Sequence, residues 1–201
     1  MRQAVFLDRD GVLNALVERD GRWLSPLRDA EFALLPGAAQ AVQALRATGL
    51  LAIVITNQPE LRRGRLSAVN LALMHAQLEH DLEINAIYVC PHDDADNCAC
   101  RKPRPGLLRA AARDWDIDLD ASFLVGDTWK DIAAGRAAGC RTIHVVDTNR
   151  TRPESPEARA EANREKADAR VADLSDAVEW ILGELARPRP RIASRSAGDI
   201  A

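Results

Sequence analysis

The sequence is short of aromatic residues, of cysteine and of any long apolar run, and each shortage excludes a class of protein. Aromatics make up 4% of the 201 residues, which argues against the stacking platforms of single-strand nucleic-acid binders. No apolar stretch approaches the ~20 residues of a membrane span. The first apolar stretch stops at Asp8-Arg9-Asp10, so no signal peptide is expected. Four cysteines in such a chain point to reduced thiols in a cytoplasm, where metal ligation outranks disulfides. Excess charge is missing too. With 27 basic and 30 acidic side chains the net charge is −3, giving no general attraction to nucleic acid or to an anionic membrane. What remains is a chain 47% hydrophobic and 28% charged, long enough to bury a core as a single domain.

Apolar periodicity alternates between strand and helix. Ala4 to Leu7 and Leu50 to Thr56 read as strands buried on both faces, and Ala86 to Val89, Phe123 to Val125 and Arg141 to Val146 as three more. Helices are predicted after Pro36-Gly37 to about Thr48, from Ser67 to about Leu82, from Pro105-Gly106 to about Trp115, from Asp131 to about Ala138, and over Leu174 to Leu185. This order predicts a doubly wound α/β fold with a parallel sheet, its ligand site lying where strands one, two and four end. One domain is expected over 1–186. Residues 151–170 read as a mobile, charged connection with one exposed helix, and 187–201 as a disordered tail.

The chemistry concentrates at those strand ends. Asp8 and Asp10, followed by Gly11, place two carboxylates on one side of an extended step, suited to a nucleophile beside a proton-transferring acid. For D-x-D-G alone the competing reading is an Asx-turn with two solvated acids. Thr56 could donate to a phosphoryl oxygen, Arg101 and Lys102 would neutralise a dianionic ester, and Asp127 with Asp131 adds hard oxygen ligands for Mg2+. Asp131 reads equally well as a helix-start carboxylate.

Taken in order, D-R-D-G-V-L-N, T-N-Q, C-R-K-P and V-G-D-x-x-x-D resemble the four motifs of the haloacid dehalogenase-like phosphatases, over about Val5 to Val146. The resemblance implies that Asp8 is the nucleophile forming an aspartyl-phosphate and that Asp10 protonates the leaving oxygen and then activates water. Thr56 and Lys102 would steady the phosphoryl group. Mg2+ would be held by Asp8, the backbone carbonyl of Asp10, and Asp127. The spacing from Asn14 to Pro36, and from Thr56 to Lys102, leaves no room for a helical cap domain, so the site is expected to be open.

Cys90, His92, Cys98 and Cys100 form C-x-H-x5-C-x-C, a donor set that closes a structural zinc site; free thiols are the alternative. Cys140 and His144 read as core residues, and His75 and His80 as surface or packing residues on one helix. The cysteine loop resembles two zinc-bearing branches of the superfamily, the heptose bisphosphate and the histidinol-phosphate phosphatases. T-N-Q-P-E-L-R-R-G is similar to the former, which implies substrate contacts from Asn57, Gln58 and Arg63, with Arg101 nearby; a solvated basic turn is the plainer reading of Arg62-Arg63. The implied reaction removes the 7-phosphate of D-glycero-D-manno-heptose 1,7-bisphosphate, with histidinol phosphate or another small sugar phosphate as alternative substrate and an inactive zinc-stabilised binding domain as a remote one. The expected partner is that small sugar phosphate alone, and the chain is expected to be a monomer. Pro59-Glu60, Thr128-Trp129 and the stretch Ala15 to Ser25 depart from the branch's pattern.

Overall fold

In the computed structural model, residues 1–146 and 166–187 are described. A six-stranded parallel sheet has the order β5-β4-β1-β6-β7-β8, with β1 at Ala4–Leu7, β4 at Leu51–Asn57, β5 at Ala86–Cys90, β6 at Phe123–Gly126, β7 at Arg141–Val145 and β8 at Ala169–Val171. The register is regular: Phe6 lies beside Ile53 on one side and Leu124 on the other. β1 is buried along its whole length, as its four apolar residues require.

Alternation along β1 separates two cores. Val5 and Leu7 face helices α1 (Ala38–Ala47) and α3 (Ala68–Leu82) and the C-terminal helix α6 (Leu174–Ala186), through Val42, Leu45, Met74, Leu78 and Ile181. Ala4 and Phe6 face α4 (Gly106–Trp115) and α5 (Trp129–Ala138), through Leu108, Ala111 and Ala134. The chain runs outward from β1 to β4 and β5, then crosses back to β6. The switch in direction therefore flanks β1, and the carboxyl ends of β1, β4 and β6 open on one crevice.

Four of the described elements, three strands and one α-helix, lie outside the predicted set. β2 (Val17–Arg19) and β3 (Arg22–Leu24) form an antiparallel hairpin in the stretch that departs from the family pattern. Its turn residues Asp20 and Gly21 both have positive φ, the D-G signature of a tight hairpin. A short helix α2, Pro59–Arg62, follows β4 at once. β8 corrects the reading of 151–170 as connection throughout, because its last two residues start a sixth strand paired with β7. Residues 151–165 of that segment, and the tail from 188, lie outside the described residues. Among the described residues no helix is long and apolar enough to cross a membrane.

Candidate active site

The crevice gathers the predicted chemistry at the ends of three strands. Gly11, at φ 92°, turns the chain after β1, and its N–H donates to the Asn14 carbonyl at 2.9 Å, closing a tight loop. Asp8 and Asp10 are thereby buried at the rim, 7% and 4% exposed. They have different surroundings. Asp8 Oδ1 accepts from Lys102 Nζ at 2.8 Å and from the Arg9 N–H at 2.8 Å. Burial pushes its carboxyl up to about 6, against the attraction of Lys102 and with help from the charges of Asp131 and Asp10. Asp10 is surrounded by donors. Arg9 forks onto it from Nε (3.2 Å) and Nη2 (2.9 and 3.0 Å), Asn14 Nδ2 donates at 3.0 Å and Gln58 Nε2 at 2.7 Å. Burial works to raise its carboxyl, but the Arg9 charge and these hydrogen bonds prevail and hold it below the usual range.

Lys102 is buried with its ammonium between Asp8 and Asp131, whose Oδ1 lies 2.5 Å away, and it also donates to the Ile55 carbonyl at 2.9 Å. Asp131 takes up its helix-start reading, Oδ2 capping α5 by accepting from the Thr128 N–H and hydroxyl, while Oδ1 pairs with Lys102. Gly126 makes this approach possible, since a Cβ there would stand 2.2 Å from Asp131 Cβ. Asp8, Asp127 and Asp131 each present a carboxylate oxygen, all within 4.8 Å of one another. That hard-oxygen donor set fits a divalent cation such as Mg2+.

Asn57 and Gln58, read as substrate contacts, have their amides engaged with the protein. Asn57 brackets the Lys102 backbone, donating to its carbonyl at 3.2 Å and accepting from its N–H at 3.1 Å. Gln58 Nε2 joins Asp10 to Thr56, whose Oγ1 accepts at 2.8 Å. A hydroxyl oxygen that accepts from Gln58 keeps its own hydrogen for an incoming oxygen. Arg63 forks onto Asp93 at 2.5 and 2.6 Å and also donates to Glu60, whose carboxylate pairs with Arg65 as well. Glu60 is thus neutralised by two arginines. Arg101 is held by Asp94 at 2.6 Å and by the His92 carbonyl.

Next to Lys102, the four zinc-type ligands converge. The three sulfurs lie 3.3–3.6 Å apart, and His92 Nδ1 is 3.3 Å from Cys100 Sγ and 3.6 Å from Cys90 Sγ. Zn–S bonds of ~2.3 Å in a tetrahedron require edges of ~3.7 Å, so the cluster is close to ligating size. Burial pushes the Cys90 thiol up to about 12, so at neutral pH it becomes a thiolate only with a cation beside it. Cys140 is buried, as expected.

Sequence reasoning gave no role to Arg9, which is fully buried, and read His75 only as a surface or packing residue. His144 also lies at the site and not simply in the core: its Nε2 is 3.2 Å from the Asp127 carbonyl. Its place at the end of β7 is the signal that would have found it.

Comparison with known proteins gives a consistent picture. The HAD-hydrolase-like family model matches residues 99–177. The D-glycero-beta-D-manno-heptose-1,7-bisphosphate 7-phosphatase of Bordetella bronchiseptica is 37% identical over 145 residues, 68% of this chain and 76% of that protein. The D-glycero-alpha-D-manno-heptose-1,7-bisphosphate 7-phosphatase of Mycobacterium tuberculosis is 37% identical over 154 residues, covering 70% and 78%. The crystal structure of the B. bronchiseptica D,D-heptose 1,7-bisphosphate phosphatase, complexed with magnesium and phosphate, aligns with a TM-score of 0.74 at 31% identity, covering 90% of this chain and 99% of that one.

Proposed function

Because the chain belongs to the haloacid dehalogenase-like hydrolases, in the branch of the heptose 1,7-bisphosphate 7-phosphatases, we propose that it hydrolyses the 7-phosphate of D-glycero-D-manno-heptose 1,7-bisphosphate. The observation that carries this reading is the pairing of two unlike carboxylates at one strand end. Asp8 is steadied by a lysine, and Asp10 is gripped by an arginine and two amides. Two acids in different environments take different roles.

Asp8 is the nucleophile. Its Oδ1 is bound by Lys102 and the Arg9 N–H, which leaves Oδ2 to attack phosphorus in line. Lys102 and the Thr56 hydroxyl meet the phosphoryl oxygens. Asp10 gives its proton to the departing sugar oxygen, then takes one from the water that opens the aspartyl-phosphate. Arrival of a dianionic phosphoryl group beside Asp10 raises its affinity for that proton, against the resting pull of Arg9. Mg2+ would be held by Asp8, the Asp10 backbone carbonyl and Asp127; when bound it neutralises phosphoryl charge in the transition state. Zinc on Cys90, His92, Cys98 and Cys100 would be structural, fixing the loop that delivers Arg101 and Lys102.

Arg63 and Arg101 are paired with Asp93 and Asp94, and the substrate's second phosphate would draw them from those carboxylates. Relatives of both anomeric names are equally similar, so the reading commits to the 7-phosphate and not to an anomer. Phosphate release from heptose 1,7-bisphosphate and from histidinol phosphate, measured in parallel with Mg2+, tests the assignment. A strong preference for the bisphosphate is expected; preference for histidinol phosphate would overturn it.

A further inference from the structure

Arg9 lies between the two acids and is fully buried, a costly place for a guanidinium unless every edge is engaged. Here every edge is. One edge, Nε and Nη2, forks onto the Asp10 carboxylate. On the opposite edge, Nη1 is 3.3 Å from His75 Nε2. Arginine can only donate, so His75 is a neutral imidazole accepting through Nε2, with its proton on Nδ1. The face of the guanidinium lies 5.9 Å from the centre of the Phe32 ring. Three separate parts of the chain thus seat one side chain: the turn after β1, the residue after a 3-10 turn at Asp29–Glu31, and α3.

The effect falls on Asp10. Its Oδ1 accepts from Arg9 Nε, Arg9 Nη2 and Asn14 Nδ2. Its Oδ2 accepts from Arg9 Nη2 and Gln58 Nε2. Gln58 Nε2 also donates to Thr56 Oγ1, so Oδ2 is the oxygen on the side of the hydroxyl that meets the phosphoryl group. We propose that Arg9, seated by His75 and Phe32, is a positioning residue that turns Asp10 so that Oδ2 exchanges the proton with the leaving oxygen. His75, on a helix that bears no other part of the site, then acts on the reaction through Arg9. The inference rests on the phosphatase reading above.

Leaving-group dependence separates this role from a merely structural one. A sugar alkoxide must be protonated as it departs, whereas 4-nitrophenolate leaves without help, and kcat/KM reports the steps through that departure. In the Mg2+-loaded full chain, His75→Leu should lower kcat/KM for the sugar phosphate about tenfold or more and that for 4-nitrophenyl phosphate less than about threefold. His75→Gln, which offers Arg9 a neutral acceptor, should restore most of the loss. Arg9→Lys keeps the charge without the fork and should show the same asymmetry, so it carries the comparison if His75→Leu does not fold. Equal losses on both esters, or none on either, would overturn the proposal while leaving the phosphatase reading intact. A wild-type protein that hydrolyses neither ester would overturn that reading itself.

Discussion

Replacing Asp8, the proposed nucleophile, should make the protein more stable while destroying its activity. Asp8 sits at the rim with its side chain 11% exposed, and burial lifts its carboxyl from 3.8 to about 6. A carboxyl raised in the folded state favours folding below its unfolded value and loses that advantage as pH rises through about 6. At neutral pH the ionised Asp8 therefore costs the native state about 3 kcal/mol. Asp8→Asn removes the charge and keeps the shape and an oxygen for Lys102. In the presence of EDTA its Tm at pH 7.5 should exceed the wild type's by roughly 6–12 °C, at 2–4 °C per kcal/mol for a chain of this size. The gap should close between pH 6 and 4, where the wild-type carboxyl protonates. Circular-dichroism melts across that range, beside a phosphate-release assay, measure both halves. A variant less stable than wild type at pH 7.5, or one that still turns over, would refute the reasoning.

Removal of Lys102 should act in the opposite direction, because two buried carboxylates then lose their shared cation. Lys102→Met should cost about 3–5 kcal/mol in chemical denaturation, and addition of Mg2+ should stabilise the variant more than it does the wild type. Gly126→Ala places a methyl 2.2 Å from Asp131 Cβ; it should displace Lys102's partner, lowering stability by about 1–3 kcal/mol and turnover severely in one steady-state assay. Cys98→Ser, or chelation of the native protein, should lower the melting temperature and release zinc detectable by a colorimetric chelator. Unchanged melting after complete chelation would count against a structural metal.

Much of the site was legible because a parallel sheet delivers its chemistry at strand ends, and strand ends are readable from apolar runs. Asp8, Thr56 and Asp127 each follow or close such a run, and the cysteine spacing carries its own geometry. What escaped depends on partners distant in sequence. Arg9 reads as a charged residue between two acids until α3 and Phe32 are folded around it. Gln58 reads as a polar residue facing substrate until β4 brings its amide to Asp10. β8 is a three-residue edge strand with an exposed arginine at its centre, too short and too polar to separate from its charged flank. The hairpin went unread as well, although Asp20-Gly21 between two short strands carries its signal.

The central claim is that Asp8 carries the phosphoryl group between the sugar and water. Acid quench during turnover of the bisphosphate with Mg2+, followed by peptide mass spectrometry, tests it directly. A phosphoryl group is expected on the peptide containing Asp8, absent from Asp8→Asn and lost on alkaline treatment. Full turnover with no phosphorylated Asp8 at any quench time, or with the label on another residue, would contradict it.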